Sequence, residues 1–273
     1  MNKWITIFLV IVSQYGFKAY SQSSGKDVYI LGTTHFGNSE VNVTTYLKLF
    51  TKIQPDIILV ELDSNAVNRC RLKERWGAGL AKLFGLYKPA KEDLAVKKYQ
   101  AEYKNTCIVS FDAVIPDRGK YIRKFNRNTR KLFNSLDAIF MKGRMNKDDS
   151  AIYNRFISLN NAFFKTTDYN LQVMNSEKTT NMGRILMKYK IDSIPKIINN
   201  YEEVAKLKRW YNDDIAFWKI RNEQMCQSII NTIIKKQAKR IIILTGLLHR
   251  YYIADYLNEK NKEGNFKIRE LVD

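Results

Sequence analysis

The chain has 273 residues, with 46 Lys and Arg against 27 Asp and Glu, a formal net charge of +19, and only two histidines and three cysteines. That length suits one large α/β domain or a domain carrying a substantial insertion, and the hydrophobic content is enough for a sizeable core. The charge excludes an acidic, self-solvating chain. The three scattered cysteines exclude a zinc knuckle and allow at most one internal disulfide, while small buried hydrophobes are the plainer reading for all three.

Met1-Asn2-Lys3 followed by the apolar run Trp4 to Val12 is too short to span a bilayer. Polar residues follow, and Ala19-Tyr20-Ser21 carries small residues where a signal peptidase reads, so residues 1–21 are expected to be a signal peptide and the protein exported, to the periplasm or beyond. No cysteine follows the apolar run, which argues against a lipoprotein anchor. The remaining residues, 22–273, are expected to form a single α/β domain.

Asp27 to Leu31 reads as a short apolar strand, and Val43, Tyr46, Leu47, Phe50 and Ile53 form a helical stripe ending before Pro55. Asp56 to Leu62 is apolar on both faces, as a buried parallel strand must be. Helical patterns follow at about 71–86 and 91–104, then a third strand from Thr106 to Asp112. Alternation of this kind predicts a mostly parallel central sheet flanked by helices.

From about 117 to 200 no strand pattern appears, and long amphipathic stretches predict a large helical insertion or cap, with Pro116, Gly143 and the polar run Asn175 to Thr180 as joints. Ten Lys and Arg between Arg118 and Lys147 face only Asp137. The aromatics there (Tyr121, Phe125, Phe133, Phe140) fall at helical steps with Leu132 and Leu136, so they read as a buried stripe rather than base-stacking platforms. Weak attraction to an anionic surface through 118–147 fits this pattern; specific nucleic-acid binding does not.

A long helix is expected from Asp213 to Lys235, a strand from Lys239 to Thr245, a helix from Tyr251 to Glu259 and a last strand near Phe266 to Leu271. On the long helix, Trp218, Met225, Ile229 and Ile233 mark the buried stripe, and Asn222 falls on it. A buried amide must be hydrogen-bonded. Arg221, on the shoulder, could hold a carboxylate or a substrate anion; the pair could equally tie the helix to the sheet.

Both histidines share one setting, an apolar run followed by Gly-x-x-His: Gly32-Thr33-Thr34-His35 and Gly246-Leu247-Leu248-His249. Each glycine is expected to let the chain turn sharply at a strand tip. Ligands of open parallel sheets bind beyond the carboxyl ends of strands, and His35, Glu61, Asp63, Asp112 and His249 all lie at or past such ends.

These residues, with Val60-Glu61-Leu62-Asp63, Arg221-Asn222-Glu223-Gln224-Met225 and Tyr252 to Leu257, resemble the TraB/PrgY/Tiki superfamily, broadly shared with erythromycin esterase-like and ChaN-like proteins. The motifs come in that family's order across residues 27–257, and none falls in 117–200. The resemblance implies an active centre at His35, Glu61, Arg221, Asn222 and His249. It further implies a hydrolase of peptide or ester bonds, acting on a peptide or small-molecule substrate, or a binding protein for a peptide, haem or other small ligand in the same crevice. His35, Glu61 and His249 could hold a divalent ion (manganese, cobalt, zinc or iron) that activates water. Without an ion, either histidine paired with Glu61 could act as general base, with Arg221 at the oxyanion. Replacing either histidine is expected to abolish activity.

Overall fold

The computed structural model describes residues 25–34, 40–73 and 89–271. The expected signal segment, His35 and most of the expected helix at 71–86 lie outside the described residues.

The centre of the fold is a five-stranded sheet, all parallel, in the order β5-β2-β6-β1-β7. Its strands are β1 (Lys26–Thr33), β2 (Ile57–Val60), β5 (Cys107–Ser110), β6 (Arg240–Gly246) and β7 (Phe266–Arg269). The middle strands are apolar on both faces because both are covered. Ile57, Ile58, Leu59 and Val60 are all buried, as are Ile241 to Leu244. Fully burying such a side chain contributes about 1.5–3 kcal/mol, which places these two strands at the most stable part of the molecule.

Helices α1 (Val43–Ile53) and α2 (Lys91–Glu102) cover one face, through Tyr46, Phe50, Val96 and Tyr99. Asn42 starts α1 by accepting hydrogen bonds from the Thr44 and Thr45 amides, and Gln54 ends it in a left-handed conformation.

Every described element between Arg118 and Lys235 is helical. The run begins with α3 (Arg118–Met141), α4 (Lys147–Lys165), α5 (Leu171–Met174) and α6 (Glu177–Lys188), continues through a π turn (Tyr189–Ser193) to α7 (Ile194–Asn200) and α8 (Glu202–Ala205), and ends in α9 (Lys208–Lys235). The C-terminal part of α9 and helix α10 (Leu247–Lys260) cover the second face of the sheet with Met225, Ile229, Ile233, Ile253 and Leu257. A separate core under the insertion includes Leu132, Leu136, Tyr153, Phe163 and Ile197. On α3 the aromatic stripe divides. Leu132 and Leu136 are buried in that core, whereas Lys120, Arg123, Lys124, Arg127, Arg130 and Lys131 are exposed on the outer side.

Three expectations need correction. Residues 71–72 do not begin a helix: Val67–Asn68 (β3) and Arg71–Leu72 (β4) form an antiparallel pair, turned by Arg69 and Cys70 in left-handed conformations. Cys70 and Cys107 are not two buried hydrophobes. They form a disulfide that ties this hairpin to edge strand β5, while Cys226 is free and buried. Nor is Gly32 a turn. It stays within β1, and a Cβ there would meet the Leu247 side chain at 2.7 Å, so its role is close packing. Asn175, expected in a joint, binds Gly32 from both sides, accepting from its amide at 2.6 Å and donating to its carbonyl at 3.2 Å.

The disulfide closes a separation of 37 residues. Reduction, or Cys70→Ser, is expected to lower the unfolding free energy by about 2–4 kcal/mol. Equal denaturation midpoints with and without reductant would show that the crosslink does not restrain the unfolded chain.

Candidate active site

Strand order puts a crevice between β2 and β6. The chain leaves β2 toward β5 and leaves β6 in the opposite direction, toward β7, so the loops after these neighbouring strands part. Ligands of parallel sheets bind at such a switch point. Glu61 directly follows β2, and Gly246 ends β6 and opens α10. His249 therefore sits in the first turn of α10, whose start comes four residues earlier than expected.

Arg221 organises this crevice. It stands on α9, from which its guanidinium reaches both strand ends. Nε donates to Asp112 Oδ1 at 2.8 Å, and Nη2 donates to Asp112 Oδ2 at 3.0 Å and to Glu61 Oε1 at 2.6 Å. Nη1 lies 3.2 Å from His249 Nε2. Asp112, fully buried at its carboxylate, is also paired with Arg118 and accepts the Ala113 amide. Two buried carboxylates thus meet two arginines, which leaves the cluster close to neutral.

Glu61 uses its second oxygen to hold the end of β6. Oε2 accepts from the Thr245 hydroxyl at 2.8 Å and from the Gly246 amide at 2.6 Å. Burial alone would raise its pKa, but His249, Arg221 and these two donors outweigh it and hold the carboxyl down to about 2. Because the folded value lies below the ordinary 4.5, the stabilisation is complete above about pH 5 and is lost as pH falls toward 2. Its size is on the order of 3 kcal/mol. Denaturant midpoints measured from pH 6 to 2 are expected to fall less steeply in Glu61→Gln than in the wild-type protein; parallel profiles would remove Glu61 from the acid response.

Asn222 sets the state of His249. Wholly buried, it donates through Nδ2 to the Trp218 carbonyl at 2.7 Å, which leaves Oδ1 facing His249 Nδ1 at 2.6 Å. An amide oxygen only accepts, so Nδ1 carries a proton and the lone pair of the neutral ring is on Nε2. The Trp218 indole lies nearly parallel to the imidazole, with centroids 5.8 Å apart, and fixes its plane.

Glu61, Arg221, Asn222 and His249 therefore converge, and Asp112 joins them. Asp63 does not: its side chain accepts the Asn65 amide and caps a short turn. Residues 35–39, and so His35, lie outside the described residues, although β1 and β6 run side by side with Gly32 opposite Thr245. Sequence reasoning assigned no role to Thr245 or Arg118. Thr245 directly precedes the second histidine motif, so its place was legible; Arg118 was submerged in a run of similar basic residues.

The donor types suit a metal ion, but the space does not. Glu61 Oε1 and His249 Nε2 are 3.7 Å apart, near the roughly 3.4 Å expected of two ligands on one tetrahedral zinc. The Arg221 guanidinium stands against both atoms, where such an ion would lie. Among the described residues no group of three or more His, Cys, Asp or Glu is arranged to hold an ion.

His249 and Arg221 form the floor of a cavity of about 390 Å³ enclosed by α3, the π turn and α9, with Tyr121, Phe125, Phe133, Trp210 and Phe217 among its walls. That volume is in the range of small-molecule sites. No family model, curated protein or solved structure matches the chain.

Proposed function

We propose that the chain is an exported hydrolase of the TraB/PrgY/Tiki kind, cleaving a peptide or ester bond with His249 as general base and Arg221 as the donor to the developing oxyanion. The observation that carries this reading is His249 lining a mostly apolar cavity, with Nδ1 held by Asn222 Oδ1 and Nε2 beside the Arg221 guanidinium. Water next to Nε2 gives up its proton as its oxygen attacks the substrate carbonyl carbon. The carbonyl oxygen becomes the anion that Arg221 meets. Glu61, 3.7 Å from Nε2, and Asn222, at Nδ1, face the imidazolium so formed. Collapse of the tetrahedral intermediate breaks the bond to the leaving oxygen or nitrogen, which takes the proton from Nε2.

The Cys70–Cys107 disulfide supports export, since such bonds persist in oxidising compartments. The exposed basic side of α3 supports weak attraction to an anionic surface outside the site.

A second reading keeps His35, Glu61 and His249 as ligands of a divalent ion. The 3.7 Å separation favours it, and it requires Arg221 to turn away. The test is to assay the purified full chain on p-nitrophenyl esters and fluorogenic peptides, with and without chelator, beside elemental analysis. Turnover that survives chelation is expected. Chelator-sensitive turnover with stoichiometric metal transfers the function to the second reading; absence of turnover on every substrate, with ligand binding retained, makes the chain a binding protein instead.

A further inference from the structure

The cavity has a second polar end that the hydrolytic reading does not use. Asp214, Trp218 and Arg221 stand at i, i+4 and i+7 of α9, so they share one face. Asp214 is two turns from Arg221, or on the order of 10 Å along the axis. The π turn also lines the cavity, and in it the Ile194 amide binds the Tyr189 carbonyl five residues back. Turns of this kind are rare and recur at functional sites. Lys190 lies in this one and lines the cavity, and Tyr211 Oη holds its carbonyl at 2.9 Å.

The Lys190 ammonium makes no side-chain hydrogen bond and no ion pair within 4.0 Å among the described residues. Asp214 is close enough to favour its charge without an ion pair between them, and one Asp214 oxygen takes the Tyr121 hydroxyl at 3.0 Å. Burial works against both charges, lowering the Lys190 pKa and raising that of Asp214. Lys190 is partly buried in the cavity wall, and a cation beside apolar walls without a counter-ion in contact favours an incoming anion.

We infer that the cavity is a subsite for an apolar aryl or alkyl group ending in a carboxylate, which Lys190 receives as counter-ion while Trp210, Phe125 and Phe217 cover the apolar part. This deepens the hydrolase reading by giving its substrate class, and it concerns the same cavity. Two sources share the chemistry: the C-terminal residue of a peptide with a large apolar side chain, and a medium-length acyl chain with a free acid.

The test is equilibrium binding to the full chain, read by calorimetry and by fluorescence of the cavity tryptophans, with two matched pairs: N-acetylphenylalanine against its carboxamide, and octanoate against octanol. At least one acid is expected to bind about tenfold or more tightly than its neutral partner, as a charge-assisted bond in a buried site allows. Lys190→Met is expected to weaken the acid to the level of the neutral compound, and Lys190→Arg to keep the preference. Preference for N-acetylphenylalanine alone assigns the peptide source, and for octanoate alone the acyl source. Equal binding of acid and neutral forms, no binding of any of the four, or a preference that survives Lys190→Met overturns the inference. His249→Ala is expected to keep the acid preference, so loss of hydrolysis and loss of this subsite are read separately.

Discussion

Arg221→Ala is expected to lower the unfolding free energy by about 3–5 kcal/mol, the cost of breaking a buried charge cluster from one side. The guanidinium makes three hydrogen bonds to Glu61 and Asp112 and faces His249 Nε2, and no other described lysine or arginine is paired with Glu61. Asp112 would retain Arg118, so the exposed charge would fall mainly on Glu61. Two consequences separate this account from a simple loss of packing. The Arg221→Ala protein should lose less stability than wild type between pH 5 and 2, because Glu61 would titrate closer to its ordinary value. Adding Glu61→Gln should recover part of the loss, giving a coupling that a double-mutant cycle measures. A single-variant loss under 1 kcal/mol in equilibrium denaturation would mean that the carboxylates are neutralised in another way.

His249→Ala is expected to reduce kcat/KM for ester or peptide hydrolysis by about 10²–10⁴, the usual contribution of a positioned general base. Asn222→Ala should reproduce a smaller part of that loss, since the ring would keep Nε2 but lose the acceptor that holds the proton on Nδ1. Asn222 is a positioning residue, so its variant should move the pH profile of kcat as well as its height. Measurement of both profiles on the same ester decides the matter. Unchanged turnover in His249→Ala would remove the imidazole from the chemistry, whatever its surroundings.

Much of this centre is legible in the chain. Strands such as Ile57 to Val60 are apolar at every position, and only burial on both faces explains that. A stripe through Trp218, Met225 and Ile229 made Asn222 a buried amide in need of a partner, and His249 Nδ1 is that partner. The repeated Gly-x-x-His pattern placed the second histidine by a strand end, though in the first turn of a helix rather than before it. Helix boundaries depend on which amides find acceptors, and Glu61, from another strand, supplies the acceptor for Gly246.

Other features depend on contacts between distant segments. Gly32 resembled a turn because a glycine's permissive backbone and its use in close packing leave the same mark in a sequence. Asp63 and Asp112 looked equivalent at two strand ends. One caps its own turn; the other is bound by arginines from two helices. The pairing of Cys70 with Cys107 needed a hairpin at 67–72 that the pattern of apolar residues did not reveal.

The amino-acid sequence alone determined the α/β class, the parallel sheet and the helical stretch after residue 117, while the resemblance in its motifs named His35, Glu61, Arg221, Asn222 and His249 as one candidate set. The elements could be read because strand and helix periodicities are local properties of the chain. Only the tertiary structure decided what Arg221 does and what faces the cavity. Strand order brings Glu61 and His249 together across 188 positions of sequence, and Lys190 and Asp214 come to line one cavity through packing alone. Electrostatic roles follow distance in space, so a guanidinium becomes the cation of a site only when folding sets it between two carboxylates.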